Sequence, residues 1–211
     1  MRFNRRFSAS INPALCDALE GDIDRLIHSG EMLKHDKTTT VAKLDVAGTR
    51  IVIKRYNARS FWHRIKRALR QSRAMRCWIM SEKFVSAGLQ VAPRVAMVEK
   101  RFGPFCLDAY FIAEWVDAEE LLTWLPNQPL DKKEVVRQQV NHIFAKFRQH
   151  RLSHGDMKAT NLLWKDKYIV FLDLDAATQH ESAVLWERGY RRDQKRFAKN
   201  GDDFVELLSD F

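Results

Sequence analysis

The chain has 211 residues, enough for one good core or two small lobes, and its 45 % hydrophobic and 30 % charged residues describe an ordinary globular protein. Cys16, Cys77 and Cys106 are widely spaced with no C-x-x-C pair, which argues against a zinc site or a disulfide framework and suits a reducing compartment. The N-terminus M-R-F-N-R-R-F-S-A-S lacks the apolar run of a secretory signal, and no segment approaches the roughly 20 apolar residues that span a bilayer, so a cytoplasmic protein is expected. The formal net charge of +9 suits nucleic acid, anionic lipid or phosphorylated sugars equally, and its placement along the chain is more informative.

Residues Met1 to Gly30 mix polar and apolar positions; Asn12-Pro13-Ala14-Leu15 opens a short helix, with Leu19, Ile23, Leu26 and Ile27 as its apolar face or that of the next. From Lys34 the pattern turns to strands: Thr38 to Val46, a turn at Ala47-Gly48-Thr49, then Arg50 to Tyr56. Arg59 to Arg76 follows. Between Lys54 and Arg76 stand nine Lys or Arg and no Asp or Glu, interleaved with Phe61, Trp62, Ile65, Leu69 and Met75. Such a basic amphipathic segment suits an anionic membrane surface or a polyanionic substrate, and equally a solvated helix packing its apolar stripe on its own lobe. The helix continues through Trp78, Ile79, Phe84 and Val85 to Gly88, a C-terminal cap position. Two more strands are expected over Val91 to Glu99 and Cys106 to Val116, joined by a turn at Phe102-Gly103-Pro104. Glu119 to Leu125 makes a short helix. Asp131 to Arg151 makes a longer one, with Asp131 as N-cap and Val135, Val136, Val140, Ile143, Phe144 and Phe147 on one face. After Asp173, Glu181 to Lys199 reads as a final helix rich in Arg and Lys.

The chemistry concentrates in Leu152 to Asp175, L-S-H-G-D-M-K-A-T-N-L-L-W-K-D-K-Y-I-V-F-L-D-L-D. A helix enters, a hairpin leaves, and the loop between them carries His154, Gly155, Asp156, Lys158 and Asn161. A hydroxyl attacking a terminal phosphate needs a carboxylate to orient it and take its proton, and Asp156 is placed for that. The anionic phosphates need hard cations with oxygen ligands, which Asn161 and the strand-borne Asp173 offer, while Lys158 neutralises charge on the moving group.

His154-Gly155-Asp156-Met157-Lys158-Ala159-Thr160-Asn161 resembles the catalytic loop of the protein-kinase-like superfamily in its H-G-D form, and Asp173-Leu174-Asp175 stands where D-F-G would stand. Lys54 ends a V-I-K that resembles the strand lysine holding the ATP phosphates. The Gly-rich loop is missing; Lys37-Thr38-Thr39-Thr40 takes its place, with Thr38, Thr39 and Thr40 as candidate phosphate caps. Cys77 aligns where the helix Glu that pairs with the strand lysine usually falls, and Glu82 lies five residues on. Asp193 resembles the buried aspartate by which related kinases brace the catalytic loop.

G-L-Q-V-A-P-R-V, V-E-K-R-F-G-P and Y-F-I-A-E-W-V are most similar to the connecting region of the lipopolysaccharide core kinases, which phosphorylate Kdo or heptose of the inner core. The resemblance runs over about residues 34 to 200 and implies an α+β, two-lobed protein-kinase-like fold. Residues 1–116 would form a small antiparallel-sheet N-lobe with one long helix, and 117–211 a short, mainly helical C-lobe, within one kinase-like domain. It implies ATP and Mg2+ as cofactors, Asp156 and Lys158 as catalytic, Lys54 as phosphate-binding, Asn161 and Asp173 as metal ligands, and an anionic glycolipid acceptor at the inner face of the bacterial inner membrane, with no nucleic-acid partner. Two other readings stay open. A kinase of small cationic molecules, of the aminoglycoside or choline type, needs an acidic pocket and is disfavoured by the basic excess. A catalytically weak nucleotide-binding scaffold is motivated by Cys77 and the missing glycines.

Overall fold

The computed structural model describes residues 2–57 and 71–208, which divide into two compact units: Met1–Trp78 with Ala92–Val116, and Ile79–Val91 with Asp117–Phe211. The stretch expected as a basic amphipathic segment lies outside the described residues from 58 to 70.

The first unit is built on an antiparallel sheet of six strands: β1 (Arg2–Phe7), β2 (Glu31–His35), β3 (Thr39–Val46), β4 (Thr49–Tyr56), β6 (Arg94–Phe102) and β7 (Phe105–Glu114), in the order β1-β6-β7-β4-β3-β2. Its tight turns follow the sequence. Ala47 and Gly48 both have positive φ, 52° and 75°, the requirement of a two-residue hairpin whose twist matches its strands. Gly103, at φ 54°, turns β6 into β7. Helix α1 (Pro13–Glu20) starts on Asn12, whose side chain accepts from the Ala14 amide, with proline at the first position. Helix α2 (Ile23–His28) starts on Asp22 in the same way. Leu15, Leu19, Ile23 and Ile27 from these helices meet Ile51, Ile53, Val98 and Ile112 of the sheet in one buried cluster. Asp24 of α2 accepts from Lys100 and Tyr110 and lies 3.4 Å from Arg55, so the polar edge of the helix is also fastened to β4, β6 and β7.

Helix α3 (Arg73–Ser86) passes from the first unit into the second. It ends on Gly88 at φ 82°: the Leu89 amide donates to the Phe84 carbonyl (3.0 Å) and the Gly88 amide to the Val85 carbonyl (2.9 Å), the paired bonds of a Schellman cap. The sequence-based boundary at residue 116 is therefore displaced locally. Ile79–Val91 packs with the second unit because Met80, Phe84, Ala87 and Leu89 are buried in its core.

The second unit holds β5 (Gln90–Val91), β8 (Glu119–Glu120), β10 (Leu162–Lys165) and β11 (Tyr168–Phe171) in the order β5-β11-β10-β8, and a separate pair, β9 (Leu152–Ser153) with β12 (Thr178–Gln179). Its helices are α4 (Leu121–Trp124), α5 (Leu130–His150), α6 (Ala183–Ala198) and α7 (Asp202–Glu206). In α5 the apolar stripe is Val136, Val140, Ile143, Phe144 and Phe147. Val135, expected on that face, is 37 % exposed because the 3.6-residue period turns it aside. Asp131 is not the N-cap either; Pro129 stands there and Asp131 sits in the first turn, where its charge complements the helix dipole.

Phe147 is fully buried, with ring centroids of Phe84, Phe144 and Phe171 at 5.6, 5.9 and 5.9 Å. Replacing it removes contacts from two helices and a strand at once. Phe147→Ala is expected to destabilise the fold by about 3–5 kcal/mol, read from the midpoint of urea unfolding, whereas Val135→Ala should shift that midpoint little.

Candidate active site

The loop from His154 to Asn161 begins where α5 ends. Arg151 adopts the left-handed cap conformation (φ 51°, ψ 43°), and its guanidinium donates to the Glu181 carbonyl at 2.8 Å. β9 then pairs with β12, so the chain enters the loop from a held strand. Gly155 has φ 82°, and a Cβ there would lie 2.4 Å from the Ala176 carbonyl oxygen. Both the backbone conformation and the close approach require glycine.

His154 is fully buried, its ring 5.5 Å from that of Phe171. Its Nε2 lies 3.0 Å from the Leu172 carbonyl and its Nδ1 3.3 Å from the Asp156 amide, an arrangement satisfied by a neutral ring that donates at Nε2 and accepts at Nδ1. Burial holds its pKa below the ordinary value; the charges of Asp193, Asp173 and Asp156 and the Leu172 carbonyl pull the other way.

Asp193, on α6, is fully buried and accepts the His154 amide at 2.6 Å and the Gly155 amide at 2.9 Å. Burial raises its carboxyl above the usual range, against the opposing pull of His154, the two amides and Arg192. This is the bracing role that the resemblance implied for it.

Asp156 is the convergence point. The Lys158 ammonium lies 3.4 Å from Oδ2, and the Asn161 amide nitrogen reaches both the Asp156 carbonyl (2.9 Å) and Oδ2 (3.4 Å). The Arg196 guanidinium lies 2.7 Å from Oδ1. With its NH2 committed to Asp156, Asn161 keeps its carbonyl oxygen for another partner. The Leu172 amide donates to the Asn161 backbone carbonyl at 2.8 Å, so Asp173 follows directly on a residue bonded to Asn161. Asp173 itself is left-handed (φ 54°, ψ 61°), the sharp turn by which the chain leaves β11. An amide oxygen and a carboxylate are hard donors. Among the described residues no group of three or more His, Cys, Asp and Glu could hold a metal alone, so a cation here would complete its shell with water or substrate oxygens.

In the first unit, Lys54 lies on β4 between β3 and β7, opposite Val41 and Phe111, with its ammonium 5.2 Å from the Tyr56 ring centroid. Cys77 is buried with its sulfur 3.2 Å from the Tyr56 hydroxyl, so a thiol rather than a carboxylate occupies the helix position that the resemblance aligns with the usual Glu. The Thr38–Thr40 turn departs from expectation. Asp36 Oδ1 accepts from the Thr38 amide (2.6 Å) and hydroxyl (2.7 Å) and from the Thr39 amide (2.8 Å) and hydroxyl (3.4 Å), and Thr40 Oγ1 lies 3.1 Å from His35. The Thr38 hydroxyl and these amides hold the Asp36 carboxyl well below the usual range. The amides and hydroxyls of Thr38 and Thr39 thus serve an internal carboxylate, and the Thr40 hydroxyl lies at His35.

Arg196 and Asn200 escaped the sequence reading. Asn200 accepts the Ala159 amide at 3.1 Å and donates to the Phe197 carbonyl at 2.6 Å, tying the far end of the loop to the end of α6. A basic helix followed by Asn-Gly carries no signal that separates these roles from solvation and capping.

A strand-borne lysine, an H-G-D loop with a following Asn, and an acid at the end of the next strand, on a mixed α+β fold, define a kinase-like phosphotransferase. The sequence pattern of the lipopolysaccharide kinase (Kdo/WaaP) family matches residues 25–202, and the chain belongs to that family. Among solved structures it is similar to "WaaP in complex with acyl carrier protein", at 13 % identity and a TM-score of 0.66, covering 98 % of this chain and 88 % of that one. A search of curated proteins gave no match. The family makes this an ATP-using enzyme of lipopolysaccharide biosynthesis and sets aside the antibiotic-kinase alternative. No helix among the described residues is long and apolar enough to cross a membrane.

The His154 ring gives a pH test. Its folded pKa is depressed, so below about pH 6.5 the unfolded chain binds a proton that the folded one resists, and this contribution to stability falls as pH falls. His154→Gln should lose that component: the gap in unfolding free energy between parent and variant, measured by urea titration, narrows from pH 7.5 to pH 5.5.

Proposed function

We propose that the protein transfers the terminal phosphate of ATP to a sugar hydroxyl, of Kdo or heptose, in the lipopolysaccharide inner core. The observation that carries this reading is the convergence of Lys158 and Asn161 on one half-exposed carboxylate, Asp156, in a loop whose backbone is held at both ends. Asp156 orients the acceptor hydroxyl and takes its proton as the hydroxyl oxygen bonds to phosphorus and the bond to the ADP oxygen breaks. Lys158 neutralises the transferred group. Lys54 is assigned to the ATP phosphates on the strength of its V-I-K sequence and the family. Asn161 Oδ1 and Asp173 would hold Mg2+, whose bound charge shields the phosphate oxygens. Their chemistry fits: two hard oxygen donors, one fixed by the hydrogen bond that the Asn161 NH2 donates to the Asp156 carbonyl.

Positioning and electrostatics supply most of the rate in such a site. The acceptor is lipid-anchored and ATP is internal, so the reaction is placed at the inner face of the inner membrane. The basic run from Arg59 to Arg76 is assigned to the anionic surface there.

Purified protein should turn over ATP with a core-sugar acceptor, and Asp156→Ala should lower the rate about 10²–10⁴-fold. Equal background rates in both would leave a scaffold, the reading that the buried Cys77 motivates. Asn161→Ala should raise the Mg2+ concentration for half-maximal turnover at least about tenfold, if the amide oxygen is a ligand. Mass analysis of the core sugar from cells with and without the protein identifies the acceptor hydroxyl.

A further inference from the structure

Helix α6 grips the loop at three places in succession. Asp193 holds the amides of His154 and Gly155, Arg196 reaches Asp156, and Asn200 holds the amide of Ala159. Residues 193, 196 and 200 share one face of a helix and its end. The first and last contacts are backbone clamps. The middle one differs in kind: a guanidinium on the carboxylate that is to act as base, at 2.7 Å, with both side chains accessible at 44 % and 32 %.

Arg196 is more than the reaction requires. Charge on the moving phosphate is already met by Lys158, which sits on the other oxygen of Asp156. Arg196 occupies Oδ1, and while it does so that oxygen has a cation rather than a hydroxyl proton to accept. A single contact between exposed charges is worth little in water. A guanidinium exchanges it readily for a group offering two anionic oxygens to its fork.

We propose that Arg196 reads the acceptor: it leaves Asp156 for an anionic group, carboxylate or phosphate, carried by the acceptor beside the hydroxyl to be phosphorylated. This exchange frees Oδ1 for that hydroxyl. Arg196 is thus a specificity-determining residue, and the acceptor class it selects is a sugar acid or sugar phosphate rather than a neutral sugar. The inference rests on the reading of Asp156 as base but is tested by binding, without turnover.

Calorimetric titration of the full chain, free of nucleotide, with Kdo, mannose 6-phosphate and mannose separates the sources of the anion. The parent should bind Kdo or mannose 6-phosphate at least about tenfold more tightly than mannose, and the tighter of the two names the group. Arg196→Gln should abolish that preference and leave mannose binding unchanged, while Arg196→Lys, keeping charge but not the fork, should retain part of it. Asp156→Asn removes the internal competitor and should tighten anion binding by about threefold or more, a gain that should be absent when Arg196→Gln is added, since what then remains comes from Lys158 and the lost charge alone. Equal binding of all three sugars by the parent, an anion preference intact in Arg196→Gln, or anion binding unchanged or weakened in Asp156→Asn would each overturn the proposal. ATP turnover by Asp156→Asn reports separately on the base: retained turnover removes that reading whatever the titrations show.

Discussion

One buried carboxylate organises the candidate site. Asp193 gives up its hydration entirely and has two backbone amides in return, those of His154 and Gly155. A carboxylate in that position without partners would cost several kcal/mol, so the loop and the helix are stable together or not at all. Because both amides belong to the residues just before Asp156, the bond fixes the backbone from which the acid projects. The same residues are constrained on their other sides: His154 by the Leu172 carbonyl, Gly155 by the close approach of Ala176.

The aromatic core performs the corresponding task from below. Phe84, Phe147 and Phe171 come from α3, α5 and β11, and their rings pack at 5.3 to 5.9 Å in tilted and edge contacts, with the His154 ring against Phe171. Burying rings of this size supplies much of the unit's cohesion, and edge contacts add direction to it. Helix, loop and hairpin therefore share one hydrophobic reference point. The polar groups of the loop, Asp156, Lys158 and Asn161, complete their arrangement through contacts of 2.9 to 3.4 Å among themselves.

What the sequence made legible depended on whether the signal was local. The H-G-D loop, its Asn and the hairpin that follows are defined by spacing over some twenty residues, as is the cap at Gly88, and the six-strand sheet shows four of its strands as apolar runs. The outer two were illegible. Arg2–Phe7 is half arginine and becomes a strand only by pairing with Arg94–Phe102, far along the chain, while every residue of Glu31–His35 is exposed, so that edge strand has no buried face to show. At Thr38 and Thr39 the Asp two residues before Thr38 closes an Asx turn, a signal that is present in the sequence and easily outweighed by the missing Gly-rich loop. Arg196 could not be singled out among Arg188, Arg191, Arg192 and Lys195, since only the fold shows which of these cations reaches Asp156.

The three-point attachment of α6 bears on how such a loop can be inherited or transplanted. Eight residues from His154 to Asn161 carry the recognisable motif, yet they take their shape from side chains some forty positions downstream. A chimera that exchanged the motif alone would place it on a foreign helix with no acid to receive its amides. The heritable unit is loop plus helix, and changes in one are expected to be accompanied by changes in the other.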